Sequence, residues 1–362
     1  MKIIKGFNSL NPIYKMFFVS STISSLLPIY FIFNFVPEMI FGIIFSSLTL
    51  ILIIIYLNGY AANPSKWKYG EIILIILTFL TVSHLPCHFI SASRIAFKSE
   101  EKKDNLLVII DNYLLGWLIK DGQISLWIDN NNYIGPHRII GMFINNILQI
   151  CYFFYYLVPY VTMHFINLLN CLREIIFRHQ NSGFKSATYR RNWNNTLFLF
   201  SVYLLTCVFV FTINTLVPAT SPRKYLKGKF KHPLILSGFG RFLNQKCKDE
   251  RSANSFPSGH VSEILAIGLA YIATKEYDIA IIVIICSILI GLATVFLRYH
   301  YFCDIVMAVF VSFLGFWINY CFGYKKYIKK YQDMNTDKVQ IIATSSSESD
   351  KEIVLNEEID NI

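Results

Sequence analysis

Charged residues are scarce in this chain. They make up 15% of its 362 residues, whereas hydrophobic residues make up 54% and the mean hydropathy is +0.45. A soluble domain of this length would carry more charge. The short segments of alternating hydrophobicity that are typical of a membrane β-barrel are also lacking. The composition therefore predicts a polytopic α-helical membrane protein.

Cysteine pairs are lacking as well. The chain has eight cysteines, but none of them forms a C-x-x-C pair. Most lie in or beside apolar runs, where cysteine behaves as a small hydrophobic residue. The pattern favours neither a disulfide framework nor a zinc site. The first apolar run has no clear small-residue cleavage site, so we expect it to be retained as a membrane anchor.

The net charge of +10 raises the question of a nucleic-acid partner. No basic stripe interleaved with stacking aromatic residues lies outside the apolar runs, so no nucleic-acid partner is expected. Lysine and arginine instead flank the apolar runs, where they contact anionic lipid headgroups.

Eight apolar runs approach or exceed the roughly 20 residues that cross a bilayer as a helix. The predicted fold is therefore an all-α bundle with about eight transmembrane helices. The fourth run is the least regular, because Asn145, Asn146, Gln149 and Asn167 dilute it. We predict the helices at 16–36, 38–59, 71–91, 145–170, 195–217, 260–275, 279–297 and 302–323.

Four regions follow from this pattern. Residues 1–91 hold the N-terminal transmembrane helices, and residues 92–144 form a non-cytosolic loop in which 111–117 lies along the membrane surface. Residues 145–323 form the catalytic transmembrane domain. Residues 324–362 are polar and acidic and are expected to be a disordered cytosolic tail.

The distribution of lysine and arginine predicts the orientation of the chain. An even number of spans places both termini on one side, and the basic residues of the short loops assign that side to the cytosol. The polar P-S-G-H sequence at 257–260 and the H-x-x-x-D sequence at 300–304 then lie on the non-cytosolic face. That face is the Golgi or endoplasmic reticulum lumen in a eukaryote and the periplasmic side in a bacterium.

Two polar motifs stand at the ends of apolar runs. The first is the P-S-G-H sequence that ends at His260, and the second is the H-x-x-x-D sequence from His300 to Asp304. Ionisable groups at such depth are costly, and by default they mark a functional site.

The residue types fit phosphoryl transfer. His300 and Asp304 are four residues apart, which would place them on one face of a helix. The carboxylate could then fix one imidazole nitrogen and leave the other free to attack phosphorus. His260, in a turn that enters a helix, could protonate the leaving oxygen.

Candidate phosphate-binding groups lie close to these motifs in the sequence. Ser258 and the backbone amides near Gly259 stand at a predicted helix N-terminus, where anions bind. The nearest cationic side chains are Arg223, Lys224 and Arg298. Because basic side chains can supply the charge, no metal and no cofactor is expected. His84 and His88 are four residues apart but have Pro86 between them, so packing is favoured over metal binding.

The two motifs resemble the second and third signature motifs of the type 2 phosphatidic acid phosphatase superfamily. The resemblance covers about 218–322, and the segments 111–116, 152–156 and 217–223 are similar to its inositol phosphorylceramide synthase-like branch. It implies that His300 is the nucleophile, that Asp304 is its partner and that His260 is the acid. Ser258, Gly259 and Arg223 would bind phosphate.

Two positions depart from the family pattern. Leu216 stands where the lysine of the first motif would fall, and Thr294 stands where the third motif usually has arginine. Arg298 is only two residues before His300, which is about 200° around a helix. Arg298 could therefore reach the same phosphate only if the helix ends before it.

Two reactions remain open, both on a membrane lipid that carries a phosphate ester. Transfer of phosphoinositol to ceramide, a step of sphingolipid synthesis, is the first prediction. Metal-independent hydrolysis of phosphatidic acid or a related lipid, with water as acceptor, is the alternative. A non-enzymatic lipid-binding or transport protein that keeps a phosphate site is a third reading, which the presence of both His300 and Asp304 disfavours. The sequence does not identify a protein partner.

Overall fold

The computed structural model describes residues 2–31, 39–62, 73, 76–77, 102–119, 122–132, 138–159, 161–162, 186–234, 236–246 and 254–329. Within these ranges the chain is helical and has no β-strand. The helices are α1 Lys2–Ser9, α2 Pro12–Phe31, α3 Met39–Ala62, α4 Asp104–Leu115, α5 Ile124–Asn132, α6 Arg138–Pro159, α7 Ser186–Leu216, α8 Pro222–Tyr225, α9 Gly238–Lys246, α10 Gly259–Ala273, α11 Tyr277–Phe296 and α12 Phe302–Asn319.

Most predicted spans coincide with a helix. Three helical segments of the described chain are long and apolar enough to cross a membrane, namely Asn194–Leu216, Tyr277–Phe296 and Phe302–Lys329. Ile43–Gly59, Ile139–Tyr155 and Gly259–Ala273 are shorter apolar helices. The chain is therefore an all-α membrane protein, while the number of eight spans stays a prediction. The predicted span at 71–91 lies almost wholly outside the described residues.

Helix α6 begins at Arg138, seven residues before the predicted span at 145–170. Asn146 of this helix binds another segment of the chain. The Asn146 Oδ1 accepts the backbone N–H of Ser237 at 3.0 Å and its hydroxyl at 2.8 Å. One of the polar residues that made this run irregular in the sequence therefore binds the segment after residue 235.

At its C-terminal end, α12 continues through a π-helical turn, Tyr320–Tyr324, and the helix extends to Lys329. Residues 324–329, which the sequence assigned to the tail, are therefore helical. The rest of the predicted tail lies outside the described residues.

Helix α10 lies at the centre of the bundle and packs against α6, α7, α11 and α12. Its buried apolar residues join a core that includes Phe17, Phe198 and Tyr271. Gly315 allows α12 to approach α7 closely, since a Cβ at this position would lie 2.3 Å from the Thr206 Oγ1. The N-termini of α10 and α12 and the C-terminus of α11 meet at one end of the bundle, which brings both sequence motifs together.

Candidate active site

Three loops form the floor of the site, and backbone hydrogen bonds hold them to one another. The Ser255 N–H donates to the Ala219 carbonyl at 3.0 Å, which joins the loop before α10 to the loop after α7. The Ser258 N–H donates to the carbonyl of Asp304 at 3.2 Å. The Arg223 N–H donates to the Arg298 carbonyl at 2.9 Å. The two sequence motifs and the segment around Arg223 are therefore one unit.

The His300 ring is held at a single nitrogen. Its Nδ1 lies 2.8 Å from the carbonyl oxygen of Ser255 and 3.0 Å from the Asp304 Oδ2. A backbone carbonyl can only accept a hydrogen bond, so Nδ1 carries the proton. The lone pair is then on Nε2. This is the tautomer that a histidine nucleophile needs.

Asp304 is fully buried and makes several hydrogen bonds with one oxygen. Its Oδ2 accepts the Ser255 hydroxyl at 2.5 Å and the Tyr301 N–H at 2.9 Å, in addition to His300. Helix α12 begins only at Phe302, so His300 lies in the turn before it. The prediction that His300 and Asp304 share a helix face is therefore wrong, although the contact between them is present.

The His260 ring lies beside His300, with 5.5 Å between ring centroids. Its Nε2 is 2.8 Å from the hydroxyl of Tyr152, and the Tyr155 ring packs against it at 4.1 Å. Its Nδ1 is buried and has no hydrogen-bond partner in the described part of the chain. One nitrogen is thus fixed by α6, while the other is available to a ligand.

A stack of side chains connects His260 to Arg223. The Tyr152 and Tyr299 rings are nearly parallel, at 4.3 Å and 12°, and the guanidinium of Arg223 lies 4.3 Å from the Tyr299 ring centroid. The two terminal nitrogens of Arg223 donate to the Asn244 Oδ1 at 2.8 Å and to the Leu297 carbonyl at 2.7 Å. Arg223 is therefore rigidly placed on the side of the site that holds His260.

Four buried polar atoms in this connected group have no partner among the described residues. They are the Arg223 Nε, the Ser258 Oγ, the His260 Nδ1 and the Gln149 Nε2. Buried polar atoms in folded proteins are nearly always hydrogen-bonded, so each exception needs an explanation. Each of these atoms can carry a hydrogen, and an oxyanion such as phosphate would accept from all of them.

Helix α11 ends in a turn that reverses the chain before His300. The N–H groups of Arg298 and Tyr299 donate to the carbonyls of Val295 and Thr294, at 3.1 and 2.8 Å. This pattern, a Schellman motif, needs a left-handed residue, and Arg298 has φ 66°. The helix has therefore ended before Arg298, as phosphate binding by that residue would require.

The Arg298 side chain nevertheless lies in another cluster. Its terminal nitrogens contact the Asp129 Oδ1 at 2.8 Å and the carbonyl of His232 at 3.1 Å, and the Phe230 ring packs 3.9 Å from the guanidinium carbon. Asp129 is 1% exposed. Thr294 is also engaged elsewhere, because its hydroxyl donates to the Gly291 carbonyl at 2.7 Å. These contacts favour a structural role for Arg298.

Replacing Arg298 by alanine is expected to lower stability rather than to raise the KM. Loss of Arg298 removes the buried cation that is paired with Asp129, which costs about 3 kcal/mol or more. Thermal unfolding in detergent would measure this loss of stability, with Asp129→Ala and the double variant as controls. The double variant should lose less than the sum of the two single changes. An unchanged Tm together with a raised KM would return Arg298 to the phosphate site.

The remaining predicted residues are also placed. Gly259 is the first residue of α10, and a Cβ there would lie 3.4 Å from the Glu263 Oε1. Lys224 has an exposed side chain on α8. The phosphate-binding roles of Ser258, Gly259, Arg223 and Lys224 stay predictions.

Several site residues were not identified from the sequence. Ser255 and Asn244 contact His300 and Arg223, and no motif marks them. Tyr152 belongs to the aromatic cluster at 152–156, but its contact with His260 was not predicted. Glu263 is 3% exposed within α10 and accepts the Tyr155 hydroxyl at 3.1 Å. A carboxylate inside an apolar run is a signal that sequence reasoning can use.

No group of three or more histidine, cysteine, aspartate or glutamate side chains is arranged to hold a metal ion in the part of the chain that is described. His84 and His88 lie outside it. A metal-independent reaction stays a prediction.

Comparison with known proteins shows a similarity to one family. Residues 196–328 match the model of the PAP2 superfamily, and this segment contains both histidine motifs. The similarity of this segment supports a membrane-bound enzyme of phosphatase type. Helices α4, α5 and α6 lie outside the matched segment.

One curated relative is a PA-phosphatase related-family protein of Dictyostelium discoideum. It is 31% identical over 317 residues, an alignment that covers 83% of this chain and 55% of that protein. The chain thus spans about half the length of the relative that it matches. No solved structure matches the chain. The resemblance to the inositol phosphorylceramide synthase-like branch has no support in these comparisons.

Proposed function

We propose that this protein is a membrane enzyme that transfers the phosphate-bearing headgroup of a lipid through a covalent intermediate on His300. The proposal rests chiefly on the Nδ1–H of His300, which donates to Asp304 and to the Ser255 carbonyl. This arrangement leaves the Nε2 lone pair free to attack phosphorus. A second histidine, His260, lies beside it with one nitrogen unpaired.

The reaction has two steps. In the first, the His300 Nε2 forms a bond to phosphorus while the bond from phosphorus to the diacylglycerol oxygen breaks, and His260 protonates that oxygen. In the second, His260 takes the proton of the acceptor hydroxyl, the acceptor oxygen bonds to phosphorus, and the bond to His300 breaks. Arg223 and the Ser258 hydroxyl stabilise the charge on the phosphoryl oxygens during both steps.

The charge around the site favours a phosphodiester substrate. Leu216 and Thr294 replace two cations of the family pattern, and Arg298 is paired with Asp129. Among the described residues, Arg223 is the cation that packs on the ring of Tyr299, the residue before His300. A diester carries one negative charge, whereas a phosphate monoester approaches two near neutral pH. One such cation in the described part of the site is better matched to the diester.

Phosphoinositol transfer to ceramide is the particular reaction that we propose, with the site on the non-cytosolic face of a multi-pass protein. A phosphodiester headgroup and a lipid alcohol as acceptor agree with the charge argument. Hydrolysis of a lipid phosphate monoester, with water as acceptor, is the second candidate. The name of the Dictyostelium relative, a PA-phosphatase related-family protein, favours this alternative.

Lipid products of the purified protein distinguish the two reactions. One sample receives phosphatidic acid and the other receives phosphatidylinositol with ceramide, both with EDTA, and His300→Ala is the control. We expect diacylglycerol and a ceramide-dependent phosphoinositol lipid from the second sample. Free phosphate from the first sample alone would identify a lipid phosphatase. EDTA inhibition would contradict the metal-independent mechanism.

Tyr152→Phe is expected to lower kcat roughly tenfold. A general acid contributes about 100-fold or more to the rate, and this change removes only part of that contribution. The Tyr152 hydroxyl holds the His260 Nε2 at 2.8 Å, so its loss frees the ring to change tautomer and orientation. The pH dependence of kcat should shift as well, because the hydrogen bond affects the proton affinity of His260.

Tyr155→Phe is the matched control for this change. Its ring also packs against His260, but its hydroxyl donates to Glu263. It should therefore keep the wild-type pH profile. If Tyr152→Phe and the wild type have the same profile, Tyr152 does not act on the proton of His260.

A further inference from the structure

A cap contacts the site from outside the matched segment. It is formed by residues 102–119 and 122–132. The cap consists of α4, the turn after it and α5. Gly122 closes that turn, with φ 64° and the backbone of Asn112 so close that a Cβ would lie 2.2 Å from its Cα. Three buried aspartates of the cap, Asp104, Asp111 and Asp129, bind residues outside the cap.

Asp104 and Asp111 act on the loops that carry the reacting residues. Asp104 accepts the Thr220 N–H at 3.0 Å, the Thr220 hydroxyl at 2.8 Å and the Tyr301 hydroxyl at 3.0 Å. Asp111 accepts the N–H groups of Phe302 and Cys303 at 3.1 and 2.7 Å. A shift of α4 would thus move the backbone beside Arg223, His300 and Asp304.

Helix α4 buries two carboxylates and exposes large apolar side chains, unlike a helix on the surface of a water-soluble protein. Its inward side carries Leu107 together with the carboxylates of Asp104 and Asp111, which are each 1% exposed. Its outward side carries Leu106, Ile109 and Tyr113, which are 47%, 57% and 87% exposed. A water-facing surface helix would place its apolar residues inward. Burial raises the pKa of Asp111 to about 6, although the two N–H groups oppose this shift.

The position of α4 along the bundle indicates what covers the outward side. Asp111 binds the first turn of α12, and α12 begins a helix long and apolar enough to cross the membrane. Helix α4 therefore lies at the level where a span ends, which is the bilayer surface. Tyrosine and tryptophan are enriched at this level, and Trp117 and Trp127 of the cap are 81% and 45% exposed.

We propose that the outer face of the cap binds the lipid surface beside the site, and that Asp104 and Asp111 transmit this support to the catalytic loops. The outer face consists of Leu106, Ile109, Tyr113, Trp117, Leu118 and Trp127. Binding to the bilayer stabilises the cap in the position in which its carboxylates hold the turns at Thr220 and Tyr301. Only the activity part of this inference rests on the proposed function.

Fluorescence quenching tests the binding without any enzyme assay. The full chain is reconstituted in phosphatidylcholine vesicles, and the emission of Trp117 is taken as the difference between the wild type and Trp117→Phe. We expect nitroxide lipids labelled near the headgroup to quench it and aqueous iodide to leave it largely unaffected. Quenching by iodide but not by lipid would overturn the proposal, since the outer face would then contact water.

Activity tests the transmission to the site. The double variant Tyr113→Ser/Trp117→Ser should lose activity severalfold on vesicle-borne lipid and should recover with a short-chain lipid dispersed in detergent. Trp317→Phe is the control, because Trp317 is 58% exposed on α12 and does not belong to the cap. Equal losses on both substrates would refute the coupling. If the wild type has no activity at all, the proposed function fails while the quenching result still stands.

Discussion

Replacing His300 by alanine is expected to abolish turnover. The imidazole forms the bond to phosphorus, and no other described side chain at the site has an N–H that donates to both a carboxylate and a backbone carbonyl and so leaves a lone pair on its second nitrogen. Loss of a nucleophile of this kind lowers kcat by about 10⁶-fold. The decrease in kcat would be measured as the release of diacylglycerol from a radiolabelled phospholipid by detergent-solubilised protein.

Binding should survive this change, because Arg223, Ser258 and His260 remain in place. Retention of the phospholipid by the inactive variant in an equilibrium binding assay is the matching control. With His260→Ala, protein denatured in alkaline detergent should instead retain label in an acid-labile, base-stable linkage if a phosphohistidine forms. Turnover by His300→Ala near the wild-type rate would falsify the assignment of the nucleophile.

Asp304→Asn is expected to lower kcat by roughly 10² to 10⁴-fold. The upper value is the loss of kcat when a catalytic histidine is held in the wrong tautomer. The asparagine amide can present an N–H to Nδ1, which favours the tautomer that blocks Nε2. The loss is limited because the Ser255 carbonyl, at 2.8 Å, still selects the proton on Nδ1. The pre-steady-state rate of the first step would measure the effect.

Ser255→Ala provides the comparison for Asp304→Asn. It removes a hydroxyl that donates to the Asp304 Oδ2 at 2.5 Å but keeps the carbonyl that accepts from His300. Its effect on kcat should therefore be much smaller. If both variants lose the same amount of activity, the carboxylate acts only through packing and the tautomer is set by the backbone.

The residues of the two motifs were predictable because they combine a chemical type with a fixed position beside an apolar run. His260 at the start of α10 and the pairing of His300 with Asp304 follow from that position. The surroundings of His260 were not predictable. Tyr152 is 108 residues away, and its hydrogen bond depends on how α6 crosses α10. Aromatic clusters in membrane helices are too common to indicate such a contact.

Arg298 illustrates a different limit. Its nearness to His300 in the sequence suggested phosphate binding, but a left-handed turn directs its side chain to Asp129, 169 residues away. Glycine is the usual residue in such a turn, so arginine gives no compositional signal for it. The helix boundary could be estimated from hydropathy, whereas the direction of the side chain depends on the tertiary structure.

The three aspartates of the cap determine how far this protein can be shortened. A fragment that contains only residues 196–328 would retain both histidine motifs and would lack Asp104, Asp111 and Asp129. The N–H groups of Thr220, Phe302 and Cys303 would lose their acceptors, and Arg298 would lose its counter-ion. The smallest fragment with an ordered site must therefore begin before Asp104. A segment defined by family similarity and a unit that folds and works by itself are, in this protein, different lengths of chain.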